Sequence, residues 1–234
     1  MKIALESLGC SKNLVDAEIM LGILNKNGHQ LVGDYNDADI VIVNTCGFIE
    51  SAKQESIDSI VQYANLKNEG SLSYLLVSGC LAQRYPDELM EEIPEIDAIV
   101  GTGSYQNITD VVDDLTKRDG IRLIEDINFS FNEDLPRYVS TPDHLAYLKI
   151  GEGCDNHCTY CIIPKLRGKY RSRDIESLLE EAKELKEAGV KELVVIAQDT
   201  SVYGRDLYGK PNLAGLLEGL AQIDFDWVRF MYSY

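Results

Sequence analysis

Three cysteines stand close together in the second half of the sequence, at Cys154, Cys158 and Cys161. A [4Fe-4S] cluster normally takes four thiolate ligands. Three closely spaced thiolates can bind three irons and leave the fourth open, and an open iron can chelate the amino and carboxylate groups of S-adenosylmethionine. An electron from the reduced cluster would then break a carbon–sulfur bond of that molecule and release a carbon radical. The triplet therefore predicts a radical S-adenosylmethionine site.

The same triplet has two other interpretations. It could bind zinc, although zinc sites usually pair two CxxC knuckles and the sequence has no second knuckle nearby. His157 could add a ligand, but its position inside the loop favours a side chain that faces solvent. The three cysteines could also be buried structural thiols.

The remaining cysteines, Cys10, Cys46 and Cys80, are far apart in the sequence but share a local pattern. Each follows a strand-like segment and has a glycine next to it. The carboxyl ends of parallel strands share one edge of a sheet, so these thiols should converge there. The adjacent glycines would let the backbone approach a bulky ligand. The pattern predicts a second three-thiolate [4Fe-4S] site; the alternative is that each cysteine is a small buried hydrophobe.

The elements that must position these thiols alternate between strand and helix. The first part of the chain predicts strands at 2–8, 39–44, 74–77 and 97–100, and helices at 14–27, 49–66, 86–92 and 105–115. Such alternation is typical of a parallel sheet with right-handed crossovers. We therefore predict an N-terminal doubly wound α/β domain over residues 1–135. The periodicity fails at 129–143, where two prolines mark the domain boundary.

A second βα series follows over residues 136–234. It predicts strands at 145–150, 192–197 and 227–232, and helices at 174–188 and 212–222. Three parallel strands do not close a barrel, so this domain is expected to be the first part of a longer one. The cysteine triplet follows the first strand, and Gln198 and Asp199 follow the second, which are the positions where βα barrels keep their active sites. We therefore predict that Gln198 and Asp199 contact the cofactor.

A basic run lies between these elements, in an otherwise acidic protein. It could grip the cofactor carboxylate or an acidic target, or it could be a solvated loop paired with local acids. Its members are Lys165, Arg167, Lys169, Arg171 and Arg173.

Composition limits the partners and the compartment. The formal net charge is −17, and such a surface disfavours nucleic acid as a direct substrate while attracting a basic partner. No segment resembles a signal peptide or a membrane span. We therefore expect a cytoplasmic protein without membrane contact, in which six cysteines serve metal binding or catalysis rather than disulfides.

Two cysteine triplets in this order resemble the radical S-adenosylmethionine methylthiotransferase family. The resemblance covers essentially the whole chain, through SLGCSKNLVDAE, VNTCGFIESAKQESID, SGCLAQRYP and EGCDNHCTYCIIPKLRGKYRSR. One branch of the family modifies an adenosine of transfer RNA, and another modifies an aspartate of small-subunit ribosomal protein twelve. The segments GKYRSR and AQDTSVYGRDLYG are similar to the ribosomal-protein branch, and a basic ribosomal protein suits the acidic charge.

The resemblance implies a transferase with two [4Fe-4S] clusters and S-adenosylmethionine. One cluster would generate a radical that takes hydrogen from the β-carbon of the target aspartate, and the other would present the methylated sulfur. It places Tyr160 beside the adenine, where core packing is the alternative, and it implies an electron donor such as flavodoxin or ferredoxin. The family's C-terminal β-barrel substrate domain is not in this sequence. The alternatives are methylthiolation of a transfer-RNA adenosine and, from another class, a non-catalytic iron–sulfur or zinc-binding fragment.

Overall fold

The computed structural model of the protein describes residues 1–118, 120–129 and 135–234. The chain divides into two units, the first formed by Met1–Phe129 with Leu135–Tyr138 and the second, over its described residues, by Val139–Tyr234. Part of the predicted boundary, residues 130–134, lies outside the described residues.

A six-stranded parallel sheet forms the centre of the first unit. Its strand order is β2-β1-β3-β4-β5-β6. The strands are β1 (Lys2–Ser7), β2 (Gln30–Leu31), β3 (Ile40–Thr45), β4 (Tyr74–Ser78), β5 (Ala98–Val100) and β6 (Ile121–Leu123). The helices are α1 (Ser11–Lys26), α2 (Glu50–Asn68), α3 (Gly79–Arg84), α4 (Pro86–Glu92) and α5 (Ile108–Asp114).

Apolar side chains cover both faces of this sheet. Along β3, Ile40 and Ile42 join the core beneath α1 and α5, whereas Val41 and Val43 join the core beneath α2 and α3. Burial on both faces explains the uninterrupted apolar run of this strand. The prediction of a doubly wound parallel sheet is confirmed.

The second unit contains a three-stranded parallel sheet of order β11-β10-β7. The strands of this sheet are β7 (Leu145–Lys149), β10 (Glu192–Ile196) and β11 (Trp227–Phe230). Two further strands of the unit, β8 (Gly151–Glu152) and β9 (Arg171–Ser172), form a separate antiparallel pair. Its helices are α6 (Ile163–Arg167), α7 (Ile175–Glu187), α8 (Arg205–Tyr208) and α9 (Leu213–Leu220). The start of α7 is capped by Asp174, whose carboxylate accepts a hydrogen bond from the Ser177 amide at 2.8 Å.

None of the helices in the described part of the chain is long and apolar enough to cross a membrane.

Candidate functional site

Cys10, Cys46 and Cys80 form the first triplet along the chain, and Cys154, Cys158 and Cys161 form the second. The cysteines of the first triplet all follow neighbouring strands of the six-stranded sheet. Cys10 is the residue that precedes α1, Cys46 follows β3 directly, and Cys80 lies in the first turn of α3. Strands β1, β3 and β4 are adjacent and parallel, so all three cysteines leave the sheet at one edge. The structure therefore brings together three chain turns that the sequence separates by more than thirty residues each.

Close packing of the adjacent glycines shows how near these turns lie. A β-carbon added to Gly9 would lie 2.7 Å from Cβ and 3.1 Å from Sγ of Cys46. A β-carbon added to Gly47 would lie 2.8 Å from the carbonyl oxygen of Cys80. The turn of Cys10 thus contacts that of Cys46, which in turn contacts that of Cys80, and only glycine fits between them.

The second triplet lies in a loop of the second unit, beyond the short strand β8. The sequence predicted that this loop follows the strand at 145–150; in the structure the short strand β8 lies between them and pairs with β9, which comes after the loop. Gly153 turns the chain with a φ of +82°, where a β-carbon would lie 2.1 Å from the carbonyl oxygen of Lys169. The Cys154 amide then donates to the Gly168 carbonyl at 3.1 Å, which holds the start of the loop against its end.

The thiols of this loop lie near one another and near solvent. Cys158 is exposed, Cys154 and Cys161 are half-buried, and the Cys161 amide donates to the Cys158 carbonyl at 3.0 Å. Burial raises the pKa of the Cys154 thiol, and the charges of Asp199 and Cys161 raise it further. His157 is exposed, as the sequence predicted.

The donor chemistry of both triplets fits an iron–sulfur cluster. All six cysteines are free thiols. Within the described ranges, no three side chains of His, Cys, Asp or Glu are grouped so that they could hold a single metal ion. A cluster binds each thiolate at a different iron, so its ligands stand further apart than those of one ion. Three thiols in each triplet are the donor type that iron–sulfur clusters take.

A buried charge cluster lies at the base of the second loop. The Glu152 carboxylate accepts from Lys149 Nζ and Arg167 Nη1, each at 3.1 Å, and also from Gln198 Nε2. Burial alone would raise the pKa of Glu152, but the charges of Arg167 and Lys149 outweigh it and lower that pKa to about 2. Glu152 also accepts from the Gly153 amide, so the cluster joins the loop to β7, α6 and the end of β10.

Gln198 and Asp199 lie beside this cluster, after β10. The Oε1 atom of Gln198 is buried and has no hydrogen-bond partner within the described chain, which leaves an acceptor available. Asp199 is buried and accepts from Asn156 Nδ2 at 3.3 Å and from the Ser201 amide at 3.0 Å. Tyr160 is 86% exposed, so the alternative that it packs in the core is wrong.

A small cavity of about 120 Å³ opens next to Cys154 in the same unit. Its lining residues are Cys154, Asp155, Asn156, Tyr170, Asp199, Val202, Arg205 and Asp206. Burial and the charges of Asp199 and Asp206 raise the pKa of Tyr170, so its phenol stays protonated and can donate a hydrogen bond. The cavity can thus offer both carboxylate acceptors and hydrogen-bond donors to a small polar group.

The basic run between residues 165 and 173 is only partly exposed to solvent. Arg167 is 3% exposed and pairs with Glu152, and Arg173 pairs with Glu181 at 2.5 Å. These arginines bind local acids, as one interpretation held, but the Arg167 pair is in the interior and the Arg173 pair is half-buried. Glu152 was not among the residues predicted from the sequence, although charged residues at 149 and 152 next to an apolar strand are a recognisable signal.

Comparison with known families divides the chain in the same two parts. The family described as Uncharacterized protein family UPF0004 matches residues 2–101, and the Radical SAM superfamily matches residues 148–228. The first match includes Cys10, Cys46 and Cys80, and the second includes the other triplet.

Several curated relatives match this chain over its whole length. The protein named ribosomal protein uS12 methylthiotransferase RimO from Clostridioides difficile is 69% identical over all of this chain. Over its whole length the chain is a homologue of RimO-type methylthiotransferases. The RimO proteins of Lachnoclostridium phytofermentans and Geobacter sulfurreducens are 52% and 51% identical over the same extent. The chain spans about half the length of these curated relatives, 53% in each case.

Solved structures support the fold at much lower identity. The radical S-adenosylmethionine methyltransferase TsrM from Kitasatospora setae has a TM-score of 0.60 and 13% identity, over 93% of this chain and 50% of that one. The cobalamin-dependent S-adenosylmethionine radical enzyme OxsB has a TM-score of 0.59 and 15% identity, over 95% of this chain and 36% of that one. These likenesses concern the fold alone.

Proposed function

We propose that the protein containing this chain adds a methylthio group to the β-carbon of an aspartate in ribosomal protein uS12. The observation that carries this proposal is the 69% identity to a RimO protein over the whole chain. The two thiol triplets give the proposal its chemical basis, because they supply ligands for two [4Fe-4S] clusters.

The proposed roles divide between the two parts of the chain, residues 1–135 and 136–234. Cys10, Cys46 and Cys80 would hold one cluster, and Cys154, Cys158 and Cys161 the other. When bound, these clusters would supply a sulfur for the transferred group and an electron that cleaves S-adenosylmethionine. The exposed thiols Cys10 and Cys158 leave one side of each site open to incoming molecules.

Other side chains of the second unit would bind S-adenosylmethionine. The free Oε1 of Gln198 can accept a hydrogen bond from the cofactor ammonium, and the nearby Asp199 adds negative charge. The exposed ring of Tyr160 is available to stack on the adenine. The buried Glu152 cluster would keep Gln198 in place by bonding its amide.

The proposed partners follow from charge and chemistry. A net charge of −17 favours a basic ribosomal protein and disfavours nucleic acid. Cleavage of S-adenosylmethionine by the proposed cluster consumes an electron, and we propose a donor such as flavodoxin or ferredoxin. Both assignments suit a cytoplasmic protein.

Anaerobic reconstitution of this chain tests the cluster assignments directly. We expect two clusters by iron and sulfide analysis, one of which is lost on Cys158→Ala and the other on Cys46→Ala. Zinc binding without sulfide would identify the chain as a non-catalytic zinc module and contradict the proposal.

The reaction is tested with the full-length protein, S-adenosylmethionine, a reductant and each substrate. We expect mass spectrometry to find a methylthio group on an aspartate of uS12. A methylthiolated transfer-RNA adenosine with unmodified uS12 would instead support the other branch of the family.

A further inference from the structure

A buried network of polar side chains joins the strand ends that lead into Cys10, Cys46 and Cys80. Asn13 is 2% exposed, Asn44 is 1% exposed and Thr45 is fully buried. Buried polar groups are costly unless they are hydrogen-bonded, so their partners show what the network holds.

Asn13 joins the turns that lead into Cys10 and Cys46. Its Nδ2 atom lies 2.8 Å from the carbonyl oxygen of Leu8, two residues before Cys10. The same atom lies 3.3 Å and 3.2 Å from the carbonyl oxygens of Asn44 and Thr45, the two residues before Cys46. One amide therefore bridges the ends of β1 and β3.

Asn44 and Thr45 extend the bridge to the turn of Cys80. The Asn44 amide donates to the Asn13 carbonyl at 2.7 Å, and its Oδ1 accepts from the Ser78 hydroxyl at 3.2 Å. The Thr45 hydroxyl donates to the Ser78 carbonyl at 2.5 Å. Ser78 ends β4, two residues before Cys80, so the network links the ends of all three strands.

We propose that Asn13, Asn44 and Thr45 are positioning residues that set the spacing of Cys10, Cys46 and Cys80 for their cluster. This inference rests on the proposed function, in which these cysteines are the ligands. Asn13 and Thr45 bind main-chain carbonyls within two residues of a cysteine, and Asn44 holds the Asn13 carbonyl and the Ser78 hydroxyl, so removing one of these side chains frees a turn. Outer partners of metal ligands typically contribute about 10–100-fold to metal affinity, and we expect an effect of that size on cluster retention.

The test uses this chain with Cys154, Cys158 and Cys161 changed to alanine, which leaves only the first triplet. Asn13→Ala and Thr45→Val remove hydrogen bonds of the network, and Thr45→Ser retains the hydroxyl. Ser104→Ala is the matched control, because Ser104 is fully buried and accepts from the Glu125 amide at 3.0 Å in the same unit, after β5.

The readouts are the rate of iron loss to a ferrous chelator, the electron paramagnetic resonance spectrum of the reduced cluster, and thermal unfolding followed by circular dichroism. We expect Asn13→Ala and Thr45→Val to lose iron at least tenfold faster than the parent, with a changed spectrum. Thr45→Ser and Ser104→Ala should behave like the parent in both.

Two results would overturn the inference separately from the proposed function. If the parent holds a cluster and Thr45→Val loses iron no faster than Ser104→Ala, the network is only structural. Should Asn13→Ala fail to fold, the Thr45→Val and Thr45→Ser pair decides alone. A parent that binds no cluster contradicts the proposed function itself, and the inference falls with it.

Discussion

Gly9 and Gly28 lie on either side of α1 with similar left-handed φ values, +93° and +87°. Alanine at either position should lower the free energy of unfolding by about 1–2 kcal/mol, the cost of that conformation for an L-residue. Only at Gly9 would the new β-carbon also collide with Cys46, because nothing lies within 4 Å of Gly28. We therefore expect Gly9→Ala, but not Gly28→Ala, to reduce the iron bound by the first triplet. Equal iron contents at matched stability would contradict this.

The unpaired acceptor of Gln198 leads to a second prediction at a single residue. Gln198→Leu removes the buried Oε1 that is available to a ligand ammonium. We expect S-adenosylmethionine to bind the reconstituted protein about tenfold more weakly, since one hydrogen bond to a charged group contributes about 1.5–3 kcal/mol. Calorimetric titration measures this, with the exposed Gln222→Leu of the same unit as control. Unchanged affinity in Gln198→Leu would remove Gln198 from the cofactor site.

At the scale of elements, Glu152 joins β8 to β7, α6 and the end of β10. Glu152→Gln removes the carboxylate that Lys149 and Arg167 both bond, and breaking a buried ion pair costs roughly 3–5 kcal/mol. We expect urea denaturation of the second unit to show a loss of about 3 kcal/mol. Glu192→Gln is the control, because its partner Arg229 is 58% exposed and such pairs contribute only about 0–1 kcal/mol. Similar losses in both variants would show that the buried pairing adds no stability.

The elements differ in how well the sequence predicts them. The apolar runs of β3, β4 and β10 are recognisable because both faces of each strand are buried, and all three were predicted. Strands β2, β8 and β9, of two residues each, and β6, of three, were missed because so few residues do not show alternation.

The candidate site was predicted only in part, for a related reason. Adjacent parallel strands bring their cysteines to one edge, so the convergence of the first triplet could be expected from the strands alone. The hydrogen bonds of Asn13 and Asn44 join residues about thirty positions apart, and no local pattern indicates such partners.

At the scale of the whole molecule, the formal charge of −17 predicts that the rate of association with a basic protein depends on ionic strength. Raising the ionic strength from about 0.01 M to about 0.15 M shortens the screening length from about 30 Å to about 8 Å. We expect the association rate with uS12 to fall at least about tenfold over this range, as stopped-flow fluorescence would measure. An acidic protein of similar size serves as the control and should not associate at either salt concentration. A rate that does not depend on salt would contradict charge-guided association.

The hydrogen bonds of Asn13, Asn44 and Thr45 go to other groups of the protein, and Cys80 is the one buried thiol among the six cysteines. We therefore expect the first unit to reach its native structure before any cluster is loaded, unlike small zinc domains whose folding depends on the metal. Iron–sulfur groups are vulnerable to oxygen, and a polypeptide that keeps its shape after losing one remains a ready template for replacement. Oxidative damage at this edge of the sheet would then be repaired by reloading the same molecule, without new synthesis.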